Sequence, residues 1–186
     1  MFLELVGGGV KLTGAGYLPP SMVHELTQRL PLAREVWGKG NREEHTPVVA
    51  ALRETATSLG LVRKNKGRLL VTAAGAKLAS DPTAMLHHVV GRLPIGRTEA
   101  ERHAGWLTLM ACAAGVDAPF SYVARALTGI GWRVDGGHGV LTEWQARRLA
   151  GGTRSVLSLA GWNPAAYADL AHDERARVLA QLAVRE

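Results

Sequence analysis

The sequence predicts a mostly helical protein with short β-hairpins, an α+β chain. Three observations carry this expectation. Apolar residues recur at helical spacing through most of the chain. Gly60 to Thr72 (GLVRKNKGRLLVT) and Gly131 to Thr142 (GWRVDGGHGVLT) each read as two short strands around a polar turn. Each also follows a helical run closed by a Leu-Gly or Ile-Gly pair, and ends on a Thr placed to cap a new helix. Helix, glycine, hairpin, threonine, helix is the second half of a winged-helix unit. Two tandem winged-helix-like units are therefore expected, at 1–93 and 94–186, the second running into a C-terminal helical extension.

Taken in order, Phe2 to Val6 and Val10 to Leu12 alternate as two short strands around Gly7-Gly8-Gly9. Pro19-Pro20-Ser21 sets up a helix over about Met22 to Leu30, striped by Met22, Val23, Leu26 and Leu30. A short helix is expected at Leu32 to Trp37, then a loop at Gly38 to Asn41. Thr46-Pro47 is a helix start: Thr46 can cap the free N–H groups and Pro47 suits the first turn. That helix runs to about Leu59 with Val48, Leu52, Ala56 and Leu59 on one face, and Gly60 ends it in the left-handed conformation. Strands at Leu61 to Lys64 and Arg68 to Thr72 flank the turn Asn65-Lys66-Gly67. Thr72 caps a helix to Ala79, and Asp81-Pro82 opens another through Val90. Gly91 to Gly96, which contains Pro94, is the expected boundary. Beyond it, helices are expected at Glu99 to Ala114, Phe120 to Leu127 and Glu143 to Ala150. Gly151-Gly152 breaks the last of these, Thr153 starts another, and 164–170 and 173–184 complete the tail.

Composition narrows the class. The chain has 186 residues, 47% hydrophobic and 20% charged, an ordinary globular balance. No apolar run reaches the roughly 18 to 20 residues that span a bilayer, and the N-terminus has no basic leader. A soluble cytoplasmic protein is expected. The single cysteine, Cys112, rules out an internal disulfide and a multi-Cys zinc site, and reads as a buried small hydrophobe. The glycines at 7–9, 14 and 16 lack the Gly-Lys-Ser/Thr of a phosphate loop. His24, His45, His87, His88, His103, His138 and His172 sit in no ligand-spaced motif. Glu43-Glu44 and Glu99 with Glu101 lie near helix starts, where the helix dipole accounts for them. No catalytic residue, cofactor or metal is expected.

Charge gives the function class. The net charge is +6, with 11 Lys+Arg against 6 Glu in residues 1–80, and 11 Arg against 10 acids in 81–186. Arg63, Lys64, Lys66 and Arg68 put four cations into six residues. Such a cluster points to an acidic partner, DNA first, with a merely solvated turn as the competing reading. In a winged helix the helix before the hairpin enters the major groove, and the wing lies on the backbone or minor groove. Thr46 to Leu59 is then the recognition helix, presenting Val49, Arg53, Glu54 and Thr57. Arg53 would grip a guanine edge and Thr57 a phosphate or a thymine methyl. Lys39 and Arg42 would hold phosphate, and Arg63 to Arg68 form the wing. Glu43, Glu44 and Glu54 leave the helix nearly neutral, so binding is expected to be modest and salt-dependent, with roughly two to four phosphate contacts.

The second hairpin carries Asp135 and His138 and no lysine. Its unit is expected to pack, dimerise or hold a protein partner rather than DNA. Trp132 and Trp144 flank it, either as core or as an exposed contact patch. The alternative for the whole chain is a winged-helix protein–protein interaction module.

One further set of residues is distinctive. It comprises Leu12-Thr13-Gly14-Ala15-Gly16-Tyr17-Leu18 with Pro20, Trp37-Gly38-Lys39, Asn41-Arg42-Glu43, Thr46-Pro47 and Leu52-Arg53-Glu54. Leu59-Gly60-Leu61, Lys66-Gly67-Arg68-Leu69-Leu70 and Asp81-Pro82 complete it. Residues 11–90 on this basis resemble the C-terminal part of the Ri-plasmid open-reading-frame-three-like proteins, a family common in actinobacteria. Members typically carry a further N-terminal domain, which this chain is expected to lack, so any activity of that domain lies outside it. The resemblance implies no catalytic residues.

Overall fold

The computed structural model describes residues 1–30, 41–134, 139–162 and 174–185. It is mostly helical, with one small three-stranded antiparallel sheet. The chain divides into two compact units, Met1–Val89 and Val90–Glu186, against an expected break at 93/94. The expected helices at 32–37 and 164–170 and the tip of the second hairpin at 135–138 lie outside the described residues.

The first unit opens with a correction. Phe2–Val6 is a helical turn, α1, and not a strand. Phe2 and Val6 are buried, an i,i+4 pair on one face, while Glu4 meets the terminal amine at 3.0 Å. Gly7 ends the turn at φ 47, and Val10–Lys11 follows as β1. Helix α2, Pro20–Arg29, buries Met22, Val23 and Leu26. A 3-10 turn at Glu43–His45 leads into α3, Pro47–Ser58.

Two details of α3 depart from expectation. Thr46 does not cap it through its side chain; its hydroxyl donates back to Arg42 O at 3.0 Å and the residue is fully buried. Val49, expected to face outward, is also fully buried, alongside Thr55 and Ala56. Ala56 and Leu59 are buried as expected, while Val48 and Leu52 are only half-buried and Val49 and Thr55 take the inward positions.

Leu59 and Gly60 (φ 72) close α3. Strands β2, Val62–Asn65, and β3, Arg68–Val71, form a hairpin with Val62 opposite Val71 and Asn65 opposite Arg68. Lys66 (φ 45) and Gly67 (φ 74) form its two-residue turn, both at positive φ as a type I′ turn requires. β1 joins on the far side of β3, giving the order β1-β3-β2. Thr72 caps α4, Ala73–Leu78, by accepting from Gly75 N at 2.9 Å, and α5, Pro82–Val90, completes the unit. His88 Nε2 contacts Leu59 O at 2.8 Å, holding α5 to the end of α3.

The second unit is built from helices: α6 Glu99–Ala114, α7 Pro119–Gly129, α8 Glu143–Leu149, α9 Gly151–Leu159 and α10 Glu174–Arg185. Leu109, Val123, Leu127 and Leu157 are fully buried in it, and Phe120 meets the buried Trp162 with ring centroids 5.8 Å apart. Cys112 is buried against α10, its thiol reaching Ala176 O at 3.7 Å and pushed up to about 11 by burial. Gly151 and Gly152 do not break the helix; the break falls at Ala150 and both glycines lie in the first turn of α9. A Cβ on Gly152 would stand 2.7 Å from Ile95 Cγ2, so glycine there permits a close approach. Thr153 is correspondingly buried, and its hydroxyl accepts from Ile95 N at 3.0 Å.

The two repeated phrases agree at their ends and differ in the middle. Leu59 N, Gly60 N and Leu61 N bond Thr55 O, Thr57 O and Ala56 O; Ile130 N, Gly131 N and Trp132 N bond Ala126 O, Thr128 O and Leu127 O in the same pattern. Thr72 and Thr142 both cap the helix that follows. The second phrase, however, has no regular strand among its described residues. Val134 N donates to Gly139 O at 3.3 Å, but Leu141 N turns to the Thr128 hydroxyl at 3.1 Å. Gly139 offers no side chain for the cross-strand pairs that stabilise a ladder.

At the start of α6 the Glu101 carboxylate accepts from Arg97 N (2.7 Å) and Thr98 N (3.1 Å) in a capping box. The Thr98 and Arg97 backbone N–H groups hold its pKa below the ordinary carboxylate value. A depressed folded pKa stabilises above the unfolded pKa, about 4.3, and that contribution is lost as pH falls through the folded value. Thermal unfolding of the protein and of Glu101→Gln is therefore expected to differ at neutral pH and converge in acid. A constant gap across that window would assign the difference to something other than the charge.

Candidate nucleic-acid interface

The hairpin and its register decide where the cations stand. Arg63, Lys64, Lys66 and Arg68 are all exposed, as is Lys11. Cross-strand partners share a face, so Lys11 opposite Arg68, and Arg63 opposite Leu70, put Lys11, Arg63 and Arg68 on one side of the sheet. Lys64, opposite the buried Leu69, lies on the other side, close to the Gly16 turn, and Lys66 is at the hairpin tip. The cations therefore surround the end of the hairpin instead of forming one stripe.

Lys11 is a member that the sequence reading missed. Its strand was legible, but the partner of that strand lies 57 positions away at Arg68. Like charges directly opposite one another on neighbouring strands destabilise a sheet. Arg68 Nη2 donates to Gly9 O at 2.9 Å. None of these five cations is ion-paired with a carboxylate among the described residues.

The expected reading helix fares differently. Arg53 is not free to grip a base: its Nε lies 2.5 Å from Glu43 Oε1, with the Arg53 side chain 20% exposed and that of Glu43 fully buried. The other Glu43 oxygen accepts from Leu18 N at 2.7 Å, so the pair ties the Tyr17–Leu18 loop to α3. Val49 is inside. Thr57 is exposed, but its hydroxyl donates to Arg53 O at 2.8 Å, leaving lone pairs only. Glu54 is exposed, and Arg42 is exposed beside Glu44 at 3.6 Å. Lys39 lies outside the described residues. Of the residues expected to bind nucleic acid, Arg63, Lys64, Lys66 and Arg68 stand exposed around the hairpin end, and Arg53 is held by Glu43.

Among the described residues no three of His, Cys, Asp and Glu converge to hold a metal ion, and no helix is long and apolar enough to cross a membrane. An apolar pocket of about 250 Å³ lies behind α3, lined among others by Phe2, Leu52, Leu59 and Met85. Compared with family models, with curated proteins and with solved structures, the chain matches none of them.

Proposed function

We propose that the first unit is a winged-helix-like fold that binds nucleic acid, duplex DNA first, without catalysis, using its sheet as a basic wing. The observation that carries this is the set of exposed cations, Lys11, Arg63, Lys64, Lys66 and Arg68, without carboxylate partners among the described residues. The succession α1-β1-α2-α3-β2-β3, with β1 paired to β3, supports the fold reading. The locked Arg53 and exposed Glu54 shift the binding away from base readout by α3 and toward phosphate contact by the wing. The matching helix ends and Thr caps support reading the second unit as a divergent copy. The resemblance of residues 11–90 to the open-reading-frame-three-like family stands as part of the same proposal.

The test is binding to mixed-sequence duplex at about 50 and 200 mM salt. Two to four phosphate contacts are expected to weaken affinity roughly 10- to 150-fold over that range. Lys64→Glu with Lys66→Glu should abolish the salt-sensitive binding, and Lys11→Ala should lower the salt slope by about one contact. No binding at low salt, or binding that ignores the reversals, overturns the proposal. The near-neutral α3 favours the second reading, a protein-interaction module, in that event.

A further inference from the structure

The second unit carries a hollow of about 400 Å³ between the start of α6, residues 132–134 and 141, and the exposed side of α8. Trp132, Val134, Leu141 and Leu149 line it with Trp144. Trp144 is 62% exposed, and Val140, next to Leu141 in the chain, is 68% exposed. Large apolar side chains left this open, clustered around a concavity, mark interaction surfaces more often than chance exposure.

Charge selects the occupant. Arg133 and Arg148 also line the hollow, and neither has a carboxylate partner among the described residues. Both are held in place. Arg148 lies over the Trp144 ring, 4.8 Å from its centroid, and Arg133 Nη1 donates to Thr128 O and Trp132 O. Glu101 also lines the hollow, its carboxylate bonded to the N–H groups that cap α6, and Glu143 accepts from the Ser121 hydroxyl, so two guanidinium groups outnumber one carboxylate in the lining. The hollow thus offers indoles and aliphatic side chains flanked by two pre-positioned guanidinium forks, which match carboxylates in planar, bidentate geometry.

We propose that this hollow is a docking site for an acidic peptide segment that carries a bulky apolar anchor. A second copy of the chain is disfavoured, since a two-fold contact would bring the same arginines toward one another. Single-stranded nucleic acid is disfavoured by the aliphatic lining and by the near-balanced charge of residues 81–186, 11 Arg against 10 acids. The proposal is independent of the wing.

The experiment is selection of a displayed random-peptide library on the full chain, followed by titration of the synthetic winners. Winners are expected to hold acidic residues around an aromatic or leucine. Their affinity should fall at least tenfold in Trp144→Ala and in Arg148→Glu, and less in Arg148→Lys. Both side chains are exposed, so these variants should fold, with unchanged circular dichroism and unchanged duplex binding. Failure to enrich any peptide, enrichment of neutral or basic ones, or winners indifferent to both variants would overturn the proposal. So would binding of oligothymidine, or self-association, that Trp144→Ala removes.

Discussion

Glu43→Ala is expected to destabilise the first unit by about 3–5 kcal/mol, the usual cost of removing one partner from a buried ion pair. The Glu43 side chain is fully buried, and it accepts from Arg53 Nε and from Leu18 N. Its loss leaves a guanidinium that is only 20% exposed without its counter-charge, and the buried Leu18 amide without an acceptor. Glu43→Gln keeps an acceptor for Leu18 N while removing the charge, so its cost should be smaller. Urea unfolding followed by circular dichroism reads all three proteins. A loss below about 1 kcal/mol would mean that the pair behaves as a solvent-screened surface bridge. The same geometry separates stability from binding. Arg53→Lys should lower the unfolding midpoint while leaving the salt slope for duplex DNA unchanged, because Arg53 is turned inward.

Gly75→Ala sets two effects against each other. Gly75 lies inside α4, where replacing glycine by alanine ordinarily gains about 1 kcal/mol of helix propensity. Here the added Cβ would stand 2.1 Å from Leu61 O and 3.0 Å from the carbonyl carbon. That obstacle is backbone, which cannot swing aside as a side-chain end would. The same carbonyl accepts from Thr72 N at 3.0 Å, so moving it disturbs the base of the hairpin. Overpacking of this kind costs about 1–3 kcal/mol, and the clash is expected to win. Ala76→Gly, at an exposed site in the same helix, is the control for propensity alone. If Gly75→Ala raises the melting temperature, α4 does not press on Leu61 as described.

Much of the first unit was legible because its signals are local. Gly67 takes positive φ without steric cost beside the polar Asn65 and Lys66, and Thr72 has a free amide three residues on, so the hairpin and the next helix could be read directly. The helix Pro47–Ser58 was found but turned slightly wrong. Its exposed and buried faces depend on Glu43, which no helical periodicity reveals as the buried counter-charge of Arg53. Phe2–Val6 misled because five residues satisfy both a strand and a helix pattern; burial of Phe2 and Val6 with Glu4 exposed decides for the helix, since all three would share one face of a strand. The second phrase forms no regular strand among its described residues, where Leu141 N bonds the Thr128 hydroxyl and not a facing backbone carbonyl.

The sequence alone determined the helical majority, the hairpin at residues 62–71, the glycine and threonine punctuation and the cationic excess of the first 80 residues. Each is a property of neighbours along the chain. Only the tertiary structure decided that Lys11 stands across from Arg68, that Arg53 is held by Glu43 instead of free for a base, and that Trp144 is left exposed under Arg148. Those are pairings between distant segments, fixed by which apolar faces bury one another. A charge becomes available or spent only once that burial has chosen its surroundings.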